Sequence, residues 1–212
     1  MARPQEDMGR VGLWYGGIDA LPAAQAREAV QEAEALGYGA LWLGEAVGRD
    51  PMAHSAILLS ATERIVLATG IANVYARDPM TMVAGQRTLA EAFPRRFMLG
   101  LGVSHAHLVA GVRKHDYSKP YSYMVDYLEK MASARFMAAQ PSIEPGVLLA
   151  ARGQRCWNFR RRKRMAPTHI SRLQNTPLSP VRRWGQTRCL HQSKWWCSQQ
   201  MPKRPARSHV RV

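Results

Sequence analysis

Leu36-Gly-Tyr-Gly-Ala-Leu-Trp-Leu-Gly-Glu45 joins the end of a helix to a strand that is apolar on both faces. The helix opens at Pro22, carries apolar residues at three- and four-residue steps, and closes at Gly37. The strand covers residues 40–43, and strands with two apolar faces are typical of a parallel sheet that is covered by helices. This stretch therefore favours an α/β fold.

The same alternation recurs along the first 151 residues. Further strands are predicted at 11–15, 65–69, 97–102 and 146–151, and further helices at 53–61, 79–93 (opened by Asp78-Pro79) and 121–134. The first four strands begin 25 to 32 residues apart, and a (β/α)8 barrel uses about 31 residues per unit. A doubly wound open sheet has a similar repeat. The spacing therefore predicts consecutive parallel strands and leaves barrel and open sheet as alternatives.

Charge divides the chain into two unlike segments. Residues 1–151 contain 14 Lys and Arg against 15 Asp and Glu, a net charge of −1, whereas residues 152–212 contain 16 Lys and Arg and no acid. The second segment also contains all three cysteines and four of the six tryptophans. We therefore place a boundary near Ala151 and interpret the two segments separately.

No targeting or membrane signal is recognisable in the sequence. The first ten residues include Glu6 and Asp7 and lead into no apolar run, which argues against a secretory signal. No run of eighteen apolar residues is present, and the first 151 residues contain no cysteine. We expect a cytoplasmic protein without a membrane partner.

Polar residues in the loops after the strands are the candidates for chemistry, because both α/β architectures place their sites there. Glu45 follows an apolar strand, so it is either functional or a capping or ion-paired glutamate, with Arg49 as the partner. Gly100-Leu-Gly102 lacks the third glycine of a dinucleotide fingerprint and predicts a close approach of a planar ligand or phosphate to the backbone. His105 and His107 lack helical metal-ligand spacing, so we expect no metal; His105 is either a proton donor or an ordinary loop histidine.

Four blocks in order resemble the luciferase-like monooxygenase superfamily, and within it the branch that uses coenzyme F-420 (F420). The blocks are Arg10 to Trp14, Leu36 to Arg49, Ala68 to Pro79 and Arg96 to His105, and the resemblance extends over about residues 8–151. It implies a TIM-type (β/α)8 barrel that binds FMN or F420 at its C-terminal mouth, with hydride transfer at ring position 5. It also implies an oxidoreductase or monooxygenase acting on a small-molecule substrate and, for the intact family member, a homodimer.

The resemblance also assigns roles by position. Glu45 falls where the family has a polar side chain near the reacting ring, and His105 where a proton donor is expected. Gly70–Ile71 falls on a non-prolyl cis peptide that bulges against the ring in many members. The resemblance thus implies two catalytic residues, Glu45 and His105, and six cofactor-binding residues: Gly70, Ile71, Asn73, Gly102, Val103 and Ser104.

The segment from residue 152 to 212 resembles the translation of a shifted reading frame. Its Arg160-Arg-Arg-Lys-Arg164 run is typical of nucleic-acid binding, but no helical or strand period organises the segment. Shifting the reading frame by one base after Gly153 restores acidic residues, an amphipathic helix and an apolar strand. We therefore expect four or five βα units in residues 1–151 and a frameshift-derived, largely disordered tail that leaves the product inactive. The alternative is a small basic nucleic-acid-binding protein that uses the Arg-rich tail.

Overall fold

A computed structural model describes residues 8–9 and 11–150, which form one parallel sheet with helices packed on it. Its strands are β1 Gly12–Trp14, β2 Ala40–Leu43, β3 Val66–Thr69, β4 Ala72–Asn73, β5 Phe97–Gly102 and β6 Val147–Leu149. Its α-helices are α1 Ala23–Ala35, α2 Pro51–Leu59, α3 Pro79–Ala92 and α4 Pro120–Ser133. A short 3-10 helix follows β1 at Gly16–Ala20, and a π-helical turn follows β5 at His107–Val112.

All the strand pairs are parallel, and neighbours follow chain order when β3 and β4, which both pair with β5, are taken as one strand position. β1 pairs with β2, β2 with β3, and β3 and β4 with β5. The carbonyl of Gly102 accepts from the N–H of Val74 on the β4 side, whereas the carbonyl of Leu101 accepts from Ala150 after β6. β6 therefore lies on the opposite side of β5 from β4. This unbroken order is that of a (β/α) barrel, whereas a doubly wound sheet reverses its order part-way.

β3 and β4 are two halves of one strand position, interrupted at Gly70–Ile71. The peptide bond between these residues is cis, as the family resemblance implied. At the interruption the hydroxyl of Thr69 links this position to β5, because it donates to the carbonyl of Gly100 and accepts from the N–H of Gly100, both at 2.8 Å. The two-residue strand β4 was not predicted from the sequence.

Helix boundaries follow from local chemistry. Asp78 accepts from the N–H groups of Met80 and Thr81, and Pro79 occupies the first turn, as predicted. Asp50 and Pro51 repeat the same pair at the start of α2, so this helix begins two residues before the predicted start. After α1, Gly37 adopts a φ of +84°, a left-handed conformation that favours glycine.

Apolar side chains fill both faces of the sheet. Alternate strand residues pack against the helices, among them Leu41, Leu43, Leu67, Leu99 and Leu101. The intervening residues form a second cluster on the opposite face, made of Ala40, Trp42, Val66, Ala68, Met98 and Leu148. Fully burying one leucine side chain contributes about 1.5–3 kcal/mol, so the sheet is fixed from both sides.

These observations confirm the predicted parallel α/β sheet and the parallel pairing of segments 40–43 and 65–69. None of the helices in the described part is long and apolar enough to cross a membrane. The predictions for residues 152–212 and for the boundary near Ala151 lie outside the described residues.

Candidate functional site

Glu45 and Asn73 meet at the C-terminal edge of the sheet. Glu45 lies two residues after the end of β2, and Asn73 ends β4. The N–H of Asn73 donates to Oε2 of Glu45 at 2.7 Å. Parallel strands bring residues from distant parts of the sequence together at one edge in this way.

The carboxylate of Glu45 is buried and held by arginine. Nη1 of Arg77 donates to Oε2 at 3.0 Å and Nη2 to Oε1 at 2.7 Å, and Nη2 of Arg113 lies 3.8 Å from Oε1. Only 5% of the Glu45 side chain and 10% of the Arg77 side chain are exposed. The prediction that Arg49 is the ion-pair partner of Glu45 is wrong, because the Arg49 guanidinium donates to the carbonyl of Leu21.

Arg77 also joins this ion pair to the start of α2. Its Nη2 donates to Oδ2 of Asp50 at 2.6 Å, while Oδ1 of Asp50 caps the helix. Burial works against the charge on Arg77, but hydrogen bonds and the charges of Glu45 and Asp50 outweigh it and raise the pKa of the guanidinium. The network borders an open cleft of about 210 Å³, lined by Glu45, Ala46, Gly48, Arg49, Asp50, Ala76, Arg77 and Arg113.

Asn73 is fully buried and carries one unmet donor. Its Oδ1 accepts from the N–H of Tyr75 at 3.0 Å, but its Nδ2 has no hydrogen-bond partner within the described part of the chain. A buried amide without a partner costs free energy unless a ligand or water meets it. Asn73 is therefore a candidate to donate to a bound group.

Two indole rings lie against the cis peptide. A methyl group placed on Gly70 would lie 3.3 Å from Nε1 of Trp14 and 3.3 Å from Cε3 of Trp42. The two tryptophans are partners across β1 and β2, so they point to the same face of the sheet. Trp14 was placed on a strand by the sequence but was not assigned to the site.

Gly100 and Gly102 have packing roles that the sequence did not indicate. A Cβ on Gly100 would lie 2.0 Å from the carbonyl oxygen of Thr69, and a Cβ on Gly102 would lie 2.7 Å from Cγ1 of Ile71. These glycines accommodate the interrupted strand beside them. The expected close approach of a planar ligand or phosphate to the backbone here, including contact of Gly102 with a cofactor, stays a prediction.

The turn after β5 is held by a tyrosine. Ser104 adopts a φ of +58°, and its carbonyl accepts from the hydroxyl of Tyr117 at 2.9 Å. Val103 and Ser104 are half-buried. His105 is exposed, and no hydrogen bond links it to Glu45 or Asn73. Of the predicted site residues Glu45, Asn73 and His105, the structure brings the first two into contact, and the role of His105 stays a prediction.

Comparison with known proteins identifies the family. The sequence profile of the luciferase-like monooxygenases matches residues 8–135. The chain belongs to the luciferase-like monooxygenase family. A Mycobacterium tuberculosis (strain ATCC 25618 / H37Rv) protein named as a coenzyme F420-dependent oxidoreductase is 31% identical over 120 residues, which are 57% of this chain and 35% of that protein.

Solved structures share the fold of this family member. An F420-dependent secondary alcohol dehydrogenase superposes with a TM-score of 0.59 at 16% identity, covering 66% of this chain and 51% of that one. Riboflavin lyase gives 0.58 at 12% identity, covering 71% and 52%. The chain thus spans about a third of the length of its curated relative and about half of these structures.

Several residues that shape the site in this family member were missed. Arg77 stands beside the correctly predicted cap Asp78, but nothing in the sequence indicates that it reaches Glu45. Tyr75 and Tyr123 stack with ring centroids 4.2 Å apart, and burial raises the pKa of Tyr75 to about 12. Only the Asp50-Pro51 pair carried a usable signal, because it repeats Asp78-Pro79.

Proposed function

We propose that this chain carries the ring-binding half of an oxidoreductase that uses coenzyme F420 or FMN to act on a small-molecule substrate. Membership of the luciferase-like monooxygenase family supports the reaction class, and the F420-dependent name of its M. tuberculosis relative supports the cofactor. The chemistry that the bound cofactor supplies is hydride transfer at ring position 5, or oxygen transfer in a monooxygenase.

The observation that carries this proposal is a buried amide donor without a partner, on Asn73, close in sequence to an apolar segment at Gly70–Ile71 on the sheet's C-terminal edge. This segment contacts the indoles of Trp14 and Trp42 through Gly70, and Ile71 packs against Gly102. Asn73, two residues further on, has the unmet Nδ2 donor. Flavin and deazaflavin rings carry carbonyl oxygens, so an apolar floor with one amide donor fits such a ring.

Some of these residues would contact the cofactor ring, and others would position the residues that contact it. Asn73 binds through Nδ2, and the backbone of Gly70–Ile71 and the turn Val103–Ser104 border the ring. His105, exposed at the end of that turn, holds or releases a proton at an imidazole nitrogen. Glu45 is engaged by Arg77 and by the N–H of Asn73, so its geometry favours a positioning role through Asn73 over the catalytic role predicted from the sequence.

The 212-residue chain itself is proposed to lack turnover. Barrel enzymes of this architecture usually bind phosphate with the loops after strands seven and eight. The described residues supply strand positions from the beginning of the barrel, and residues 152–212 do not resemble later units in the frame as written.

The test restores the reading frame after codon 153 and assays the resulting enzyme with FMN and with F420. We expect oxidation or reduction of one cofactor in the presence of a small-molecule substrate panel. Glu45→Gln is then expected to lower turnover and thermal stability together, as a positioning residue does. Failure of the repaired, folded enzyme to bind either cofactor would contradict the proposed function.

A further inference from the structure

We propose that the exposed face of Trp14 is the surface on which the planar ring of the cofactor lies, an inference that rests on the proposed function. Trp14 ends β1 and points to the same face of the sheet as Trp42. Trp42 is 7% exposed, whereas Trp14 is 39% exposed. Of the two aromatic rings beside the cis peptide, Trp14 is thus the accessible one.

The indole of Trp14 lies across the ends of three neighbouring strands. A methyl group on Gly44 would lie 3.7 Å from Cζ2 of Trp14, and one on Gly16 would lie 3.8 Å from Cη2. On the other side, a methyl group on Gly70 would lie 3.3 Å from Nε1. The six-membered ring therefore lies near β1 and β2, and the five-membered ring lies at the cis peptide after β3.

Glycine at position 70 lets the indole approach the sheet edge closely, whereas the contacts at Gly16 and Gly44 are at ordinary van der Waals distance. A side chain on Gly70 would meet both indoles at a distance tighter than ordinary van der Waals contact. Large apolar surface left accessible beside a site, on a rigid element, is typical of ligand contact.

The chemistry of this surface selects for flat, π-bearing rings. An indole prefers offset or edge-to-face contact with another aromatic system, and stacking on aromatic side chains tolerates different ring substituents. A flavin and a deazaflavin therefore bind this platform equally well. No charge or phosphate is needed for the contact.

The test titrates riboflavin, which has the ring and no phosphate, against the full 212-residue chain, using riboflavin fluorescence. Trp14→Leu keeps an apolar side chain and removes the aromatic face, and we expect it to weaken binding about tenfold, or about 1.4 kcal/mol. Trp14→Phe is expected to recover most of the affinity. Tyr15→Leu is the matched control: Tyr15 is 48% exposed but packs against Gly17, so its loss leaves binding unchanged.

Thermal melts by circular dichroism establish that each variant is folded, and Trp14→Met, which also removes the aromatic face and is expected to weaken binding similarly, serves if Trp14→Leu does not fold. Riboflavin binding that is equal in wild type and Trp14→Leu would overturn the platform while leaving the proposed function intact. Equal weakening by Tyr15→Leu would also overturn it. Absence of riboflavin binding to the folded wild-type chain would overturn the platform together with the proposed ring-binding role.

Discussion

Replacing Arg77 with methionine removes the principal counter-charge of a buried carboxylate. Glu45 is 5% exposed and receives both guanidinium Nη groups of Arg77. Removing one partner of a buried ion pair costs about 3–5 kcal/mol. Part of this cost is offset, because the N–H of Asn73 at 2.7 Å and Arg113 at 3.8 Å remain. We therefore expect Arg77→Met to lower the free energy of unfolding by about 3 kcal/mol.

Neutralising the other partner, in Glu45→Gln, is expected to lower the free energy of unfolding by less. In Glu45→Gln, Arg77 keeps its 2.6 Å contact with Asp50, and the loss is that of charge-assisted hydrogen bonds, about 1–2 kcal/mol. The double variant is expected to fall short of the sum of the two single variants, since both changes remove the same interaction. A loss in the double variant that is smaller than the sum shows that Glu45 and Arg77 interact with each other and do not stabilise the fold independently.

Urea denaturation followed by far-ultraviolet circular dichroism measures these differences on the full chain. Arg87→Met is the matched control: it removes an arginine whose partner Glu144 is 74% exposed, and such pairs contribute about 0–1 kcal/mol. If Arg77→Met is no more destabilising than Arg87→Met, or if the single effects add fully, the buried network does not hold the site as described.

Three further predictions concern acid stability, packing and the gene. Burial lowers the pKa of His54 below its ordinary value of 6.5 despite the charge of Asp19 3.0 Å away. As pH falls, the unfolded chain therefore binds a proton before the folded one, so stability present above pH 6.5 is lost below it. Melting temperatures between pH 7 and pH 5 should fall more steeply for wild type than for His54→Gln, and parallel curves would refute this. Gly100→Ala places a Cβ 2.0 Å from a backbone oxygen and is expected to destabilise by about 1–3 kcal/mol or more; Gly146→Ala, whose nearest neighbour is Met98 Sδ at 3.7 Å, should melt like wild type. Sequencing codons 150–156 in closely related strains should reveal a one-base difference, and an identical frame with the basic tail retained would favour a nucleic-acid-binding tail.

The sheet was predictable from the sequence because its signals are local. Apolar runs such as Phe97–Gly102 match the observed strand, and Asp-Pro pairs mark helix starts wherever they occur. The choice between barrel and open sheet was not predictable from spacing, because both use similar repeats. Strand order decides it, and that order depends on long-range pairing.

The site was predictable only in part, because its residues have local sequence signals and their partners in space do not. Loop positions identified Glu45 and Asn73, and their contact follows from the parallel sheet. The partner of Glu45 was predicted wrongly, since Arg49 is near in sequence while Arg77 is near in space. The packing role of the β5 glycines was missed, because the atoms that crowd them belong to Thr69 and Ile71 at the neighbouring strand position. Such contacts are fixed by tertiary packing and leave no local signal.

Titration of the 212-residue chain with FMN and riboflavin side by side tests the central claim most directly. A ring-binding half without phosphate contacts should bind both, with dissociation constants within about threefold of each other and with no turnover. Stoichiometric binding of FMN far tighter than that of riboflavin, or turnover with FMN or F420, would contradict the account.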